Sequence, residues 1–429
     1  MAKTEDPKSE FAESRPSSRS LWALDSLNFF LADVRDGMGP FLGTFLRDHH
    51  HWDAGQVGIA LGASQIGTVL AQTPLGALVD RIRWKRLAVA IAAAVVAGGC
   101  VLLYLVPTML VVLAAQTAIG AAAAIFPPAV AAITLGLVGR AVMPRQTGRN
   151  EAYNHGGNFV AAALAGACAY FLGYGAMFLL VAAMAAASAG AVVLIREREI
   201  DHELARGADE REDGHEIVGV RELFKDRRIL VFVASAVLFH FANAAMLPLV
   251  GQKSSDGLKD GAAVVMSACI IAAQLVMIPV ALAASRLSAS WGRKPVFLTG
   301  FGVLPIRGLL YCLSVNPIYL VAVQLLDGIG AGIFGVVSVL VVADLTKGTG
   351  RFNLTQGALA TATGVGAGLS NLMAGFVVKG AGFDAGFLML SAIAAVGTLF
   401  FALAMPETRP REIDLAPKSA PFVIPDTVH

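Results

Sequence analysis

Long apolar runs follow one another along almost the whole chain, separated by brief polar interruptions. About 20 apolar residues in a helix cross a bilayer core, so each run predicts a membrane-spanning helix. The runs fall at about 21–46, 55–79, 86–105, 108–139, 151–171, 173–195, 229–251, 261–286, 295–314, 316–345, 354–379 and 384–405. The largest interruption, Arg196 to Arg228, is dense in Arg, Glu, Asp and His and includes Asp209-Glu210-Arg211-Glu212-Asp213. It predicts a solvated linker with one amphipathic helix near Val218 to Phe224. The chain thus divides into a polar tail at 1–20, a six-span bundle at 21–195, a linker at 196–228, a second six-span bundle at 229–405 and a polar tail at 406–429.

Composition agrees: 429 residues, 56% hydrophobic, 15% charged, mean hydropathy +0.66, the profile of an all-α polytopic membrane protein rather than a soluble domain. A net charge of +2 carries no message about nucleic acid, but its distribution sets orientation. One set of loops holds Arg81, Arg83, Lys85 and Arg86, then Arg140, Arg145 and Arg149, then Arg286, Arg293 and Lys294, then Lys347 and Arg351. The opposite set holds only Arg47, Lys253, Lys259 and Lys379. By the positive-inside rule the first set, the linker and both tails are cytoplasmic, in a bacterial-style inner membrane. Met1 to Ser20 has no apolar core, so it is not a cleavable signal peptide. Cys100, Cys168, Cys269 and Cys312 fall inside apolar runs and read as packing residues.

The two halves repeat each other. Gly37 to Gly43 matches Ala245 to Gly251, and Gln116 to Phe126 matches Gln324 to Phe334, both at an offset of 208 residues. Gln65 maps to Gln274, and Thr147-Gly148-Arg149 to Thr349-Gly350-Arg351. Tandem halves enclosing a midplane site are what alternating access requires. After the second span comes Gly76-Ala-Leu-Val-Asp80-Arg81-Ile-Arg83-Trp84-Lys85-Arg86, and its counterpart keeps Gly292-Arg293-Lys294 without the acid. With Pro406-Glu407-Thr408-Arg409 closing the last span, the chain resembles the major facilitator superfamily, whose pattern in that loop is G-x-x-x-D-R-x-G-R-K. Arg83 stands where the second glycine of the pattern is expected. The resemblance covers about residues 21 to 409. It implies twelve transmembrane helices in two pseudo-symmetric six-helix bundles, and a transporter rather than an enzyme. It also implies a gating latch built from Gly76, Asp80, Arg81, Lys85, Arg86, Gly292, Arg293 and Lys294. An acid at one helix end beside a neighbouring helix forms a charge-assisted bond that breaks when the halves rock. The simpler role of these cations, setting topology, is compatible with the latch.

Ionisable residues inside spans are the candidates for substrate or proton handling, because each costs at least ~2.5–3.5 kcal/mol at mid-membrane. Asp33, Arg35 and Asp36 sit near the middle of the first run. Residues 33 and 36 share a helical face while 35 points away, so one internal salt bridge does not satisfy all three. Through the repeat, His240 corresponds to Ala32 and Asn243 to Arg35, which places His240 opposite Asp33 if the family fold applies. It is either a proton relay or a hydrogen-bonded packing residue. In the fifth span Glu151 with His155, and Asn154 with Asn158, form i,i+4 pairs along one polar stripe. His155 and Asn158 lie deeper and are the better cavity candidates. Arg307 and Asp327, in consecutive spans, are expected to form a buried structural ion pair. His49-His50-His51 reads as a solvated outer loop, and no metal, cofactor, nucleotide or nucleophile–base motif appears.

Gln116 stands where drug/proton antiporters of this superfamily carry Arg, and their fifth-span Gly-Pro pattern is absent from Gly156 to Gly173. The sequence therefore points to a monomeric secondary transporter moving a small polar or amphiphilic solute, coupled to protons through Asp33 and Asp36 with His240 assisting. Arg35 is the candidate to bind an anionic group of that solute, and uptake of an organic anion or a metal chelate is the alternative within transport. A non-transporting receptor or sensor is the alternative from another class.

Overall fold

The computed structural model describes residues 16–36, 42, 45–46, 50–52, 54–172, 174–207, 219–223, 225–257 and 262–409. The first half comprises α1 (Ser18–Asp36), α2 (Ala54–Arg81), α3 (Lys85–Leu105), α4 (Met109–Ala123), α5 (Phe126–Phe171) and α6 (Tyr174–Leu194). The second comprises α7 (Arg227–Ala244), α8 (Met246–Gly257), α9 (Ala262–Ser290), α10 (Arg293–Leu310), α11 (Pro317–Leu345) and α12 (Phe352–Ala404). Among the described residues there is no β-strand. Seven stretches among them are long and apolar enough to cross a membrane by length and composition, and two of these, Met109–Ala165 and Phe352–Ala404, each carry two of the predicted spans.

Helix boundaries follow local chemistry. Asn316 caps α11, its side-chain oxygen accepting from the Ile318 and Tyr319 amides at 2.9 and 3.3 Å, with Pro317 at the first helical position. Asp226 caps α7 through the Arg228 amide at 2.8 Å. Two long helices change direction at glycines in the left-handed region, Gly139 (φ 69°) in α5 and Gly382 (φ 86°) in α12. These bends replace two predicted loops. Arg140, Arg145 and Arg149 are helical rather than in a connecting loop, because the chain resumes its helix immediately after Gly139.

The first half buries one continuous apolar cluster from Ala23 to Ala205. In the second half, Phe232, Phe297, Phe301 and Phe401 anchor one cluster, and Met246, Tyr311 and Phe387 another. Phe301 and Phe401 stack with centroids 5.0 Å apart. The Ser17 amide and hydroxyl donate to Glu199 at 3.0 and 2.9 Å, and Arg409 donates to the Ser290 carbonyl at 2.5 Å. Both described chain ends therefore lie on the same face as the connection between the halves, called here the linker face.

The linker departs from the solvated segment its charge predicts. Its first part forms 3-10 turns at Glu197–Glu199 and Leu204–Arg206, and Ile200, Leu204 and Ala205 are buried. Burial of these apolar side chains outweighs the surrounding charge, which turns outward into local pairs such as Arg206 with Glu203. The expected amphipathic helix is a single turn, Val220–Leu223, and the acidic run at Asp209 lies outside the described residues.

Candidate functional site

On the linker face the halves meet along two seams, α2 against α12 and α5 against α9. Along the first, Gly76 lies against the Asn353 carbonyl and Gly357 against the Gln72 carbonyl, approaches that leave no room for a Cβ. Thr73 and Thr361 share a hydrogen bond of 2.9 Å across it. Asp80, 3% exposed, closes this seam. One carboxylate oxygen accepts from the Asn353 amide at 3.0 Å and from its side-chain Nδ2 at 2.8 Å, and the other from the Leu354 amide at 2.8 Å. An acid of the first half thus caps the start of a second-half helix, where unpaired amides and the helix dipole favour negative charge. Of the other expected latch residues in this loop, Arg81 is exposed. Lys85 is buried and donates to the Ile82 carbonyl at 2.7 Å, while Arg86 pairs with Glu197 at 3.4 Å.

The repeat-related loop is closed differently. Gly292 holds a positive φ of 111°, and Glu407 accepts from the Arg293 and Lys294 amides at 2.8 and 3.0 Å. Arg293 reaches Asp344 at 3.0 Å and the Ser288 carbonyl at 2.8 Å. All of these partners belong to the second half, so Gly292, Arg293 and Lys294 do not bridge the halves as a shared latch would require.

The linker is wedged between the seams. The Gly207 carbonyl accepts from Arg140 of the first half at 3.1 Å and from the Gly348 amide of the second at 2.8 Å. Arg140 also donates to the Ala343 carbonyl at 2.8 Å, and Asn353 to the Ala205 carbonyl at 2.9 Å. Burial, with the cations Lys85 and Arg83 nearby, holds the His202 imidazole below its ordinary range. Desolvation pushes the Glu199 carboxyl up, but hydrogen bonds from Ser20, Ser17 and Arg196 outweigh it and bring the group down to about 2.

Above the wedge a cavity of about 90 Å³, lined by both polar and apolar side chains, opens between the halves. Asn28, Thr134, Thr147, Asn150 and Glu151 line it from the first half, Val339 and Gln356 from the second. Its first-half wall is a fixed network: Asp25, 2% exposed, pairs with Arg149 and accepts from Gln146 at 3.1 Å. Gln146 also donates to Asn150 at 3.0 Å, and Asn150 to Thr134 at 2.8 Å. One turn further along α5, His155 Nε2 lies 3.9 Å from Glu151, and Nδ1 is 2.7 Å from Gln274 of α9. Asn158 is half-buried beyond them.

Arg307, 1% exposed, pairs with Asp327, and donates to the Asn243 side chain at 2.7 Å. Gln324 donates to Asp327 at 2.9 Å and accepts from Tyr311. Asn243 therefore belongs to this ion-pair network. His240 bonds the Ala236 carbonyl of its own helix at 3.2 Å, and its ring sits edge-on to Phe334 at 4.6 Å. Asp33, Arg35 and Asp36 form the last turn of α1, and their side chains lie outside the described residues, as does His49; His50 and His51 are exposed.

Sequence patterning missed Asp25, Gln146, Asn150, Arg140 and Asp344. Asp25 lies in the first turns of its run, where an acid passes for a headgroup-level residue. The spacing from Gln146 through Arg149 to Asn150 does mark one helical face, a signal visible only once the helix is known to start at Gly139.

The characteristic sequence of the Major Facilitator Superfamily matches residues 26–288 and again 262–425. The chain belongs to the major facilitator superfamily. It is 49% identical over 388 residues to an uncharacterized MFS-type transporter of Mycobacterium tuberculosis, found in two strains, covering 90% of this chain and 93% of the relative. Its fold is similar to that of the human organic anion transporter MFSD10 (TETRAN), with a TM-score of 0.68 and 16% identity over 89% of this chain and 99% of the other. It is likewise similar to the major facilitator FucP in its outward conformation, with a TM-score of 0.67 and 14% identity over 90% and 98%. This member of the superfamily is a multi-pass membrane transporter, not an enzyme, with its helices in two six-helix bundles.

Proposed function

We propose that the chain is a monomeric secondary active transporter that moves a small polar or amphiphilic solute across an inner membrane by alternating access, coupled to protons. One observation carries this reading: a cavity with several polar side chains lies between two pseudo-symmetric halves that noncovalent contacts join across the linker face. Asp80 on α12, the wedge at Gly207 and the His155–Gln274 bond all join one half to the other. Such contacts can break together when rigid halves rock. The positive-inside distribution makes the linker face cytoplasmic. The cavity is then closed to the cytoplasm, in keeping with the similarity to a transporter in its outward conformation.

We assign coupling to Asp33 and Asp36, acids in the last turn of α1 whose presence inside an apolar run marks a functional position. His240, tucked among aromatic rings, fits packing better than relay. The test is uptake by the reconstituted protein under an imposed pH gradient, using solutes first found by thermal-shift screening. Uptake driven by the gradient, and lost in an Asp33→Asn/Asp36→Asn double variant, is the expected result. Gradient-driven uptake that survives the double substitution removes these acids from the mechanism.

A further inference from the structure

We propose that an outward-facing groove on α2, α3 and α4 seats one acyl chain of an anionic phospholipid from the leaflet at the linker face, with the lipid phosphate on Arg81. This site stands apart from the cavity between the halves and does not depend on how transport is driven.

The groove has a volume of about 420 Å³, and every side chain lining it is apolar. Ala88 and Ala92 of α3 are buried beneath it, small residues where longer side chains would fill the space. Leu70, Leu78 and Val95 along it are 71, 38 and 40% exposed. Yet α3 is long and apolar enough to span a membrane, so in a bilayer this exposed surface meets lipid rather than water.

Shape selects the occupant. Trp84 lines the groove at the linker-face start of α3, and Val95 lines it eleven residues further on, roughly 16 Å at the helical rise. The hydrocarbon core is about 30 Å thick, so the groove runs through one leaflet and stops near the midplane. Trp84 sits at the end where an indole favours headgroup level. Spread over that length, the 420 Å³ gives a mean cross-section of about 26 Å². A hydrocarbon chain, whose carbons pack about 4 Å from their neighbours, fits that width. A docked helix, about 10 Å across and crossing both leaflets, does not.

Charge selects the headgroup. Leu70, Pro74 and Leu78 of α2 line the groove at a spacing of four, and Arg81 follows one turn later on the same helical face. It is exposed at the mouth, as is Arg83 in the turn that follows. The acids close by are engaged elsewhere. Asp80 holds the Asn353 and Leu354 amides, Glu197 lies between Arg86 and His202, and Glu203 pairs with Arg206. The mouth therefore keeps an excess of positive charge. A guanidinium fork matches phosphate oxygens, and cations at the bilayer surface draw anionic lipids.

The experiment uses the full-length protein in phosphatidylcholine vesicles, with Trp84 left as the single tryptophan by Trp22→Phe, Trp52→Phe and Trp291→Phe. Phosphatidylglycerol or phosphatidylcholine with brominated acyl chains is titrated in, and quenching of Trp84 fluorescence reports the seated chain. A roughly fivefold preference for phosphatidylglycerol is expected, the size of one arginine acting near an anionic headgroup. Arg81→Gln is expected to bring the two lipids to parity. Ala71→Phe, which fills the groove and leaves the charges in place, is expected to abolish most of the preference as well. Equal quenching by both lipids without these substitutions means ordinary annular lipid and overturns the proposal. A fivefold preference that survives either substitution overturns it too. Absence of quenching by either lipid means that protein covers the groove, and withdraws the lipid site. Native mass spectrometry of the chain with all its tryptophans gives a second reading. One phosphatidylglycerol retained by the wild type and lost in Arg81→Gln supports the site, and equal retention in both overturns it.

Discussion

Two loops of this transporter descend from one pattern and close in opposite ways. After α2, Asp80 reaches across the seam and caps α12 of the other half. After α9, the equivalent position is Ala289, and the acid that holds the Arg293 and Lys294 amides is instead Glu407 of the same half. A symmetric fold therefore carries an asymmetric fastening. The acid of the first loop is bonded to the other half, and the acid that serves the second loop is bonded within its own.

The largest effect is expected within the second half, from Arg307→Ala, which leaves the half-buried Asp327 without its cation. A loss of about 3–5 kcal/mol is expected from breaking a buried pair, seen as failure to recover monodisperse protein or a large drop in unfolding temperature. Recovery of normally folded protein would mean that the second half does not depend on this pair.

Next comes Asp80→Ala, which strips the cap from α12 and leaves two buried amides without acceptors. A loss of about 1–3 kcal/mol is expected. It should appear as greater reagent access to single cysteines placed along the α2–α12 seam, more than as global unfolding. Glu407→Gln is expected to cost only about 0.5–1 kcal/mol, with seam access unchanged. Equal seam opening in both variants would erase the distinction between the loops.

The smallest effect concerns acid. Glu199, brought down to about 2 from an ordinary 4.5, stabilises the fold fully above the unfolded value. That contribution is lost as pH falls through the folded value. Between about pH 4.5 and 2 the wild type should lose unfolding temperature faster than Glu199→Gln, which lacks this one titrating carboxyl.

Much of the architecture was legible in the sequence because membrane spans are dictated by length and apolarity, quantities a single chain displays. The run at 316–345 and the helix Pro317–Leu345 nearly coincide for this reason. The ion pair of Arg307 and Asp327 was legible too, since lipid leaves an arginine few options. The wedge was not: Ile200, Leu204 and Ala205 are few and scattered among charges, and only the slot between two distant helices makes them a core. The site was partly legible. The stripe of Glu151, His155 and Asn158 is a helical-period signal, whereas Gln274 as its partner depends on how the halves dock. His240 was placed by pseudo-symmetry, which relates backbones and says nothing of the rings of Phe239 and Phe334 that pack against its imidazole.

The span between Asp80 and its acceptors has a consequence for biogenesis. They are separated by 273 residues, so the acid emerges long before the helix it caps. During synthesis the first bundle must wait with that carboxylate solvated, and the linker face is completed only when the eleventh span arrives. Maturation of this face is thus a late docking event between two preassembled bodies. The halves, expressed as separate chains cut within residues 208–218, should find each other and restore the capped helix without a covalent tether.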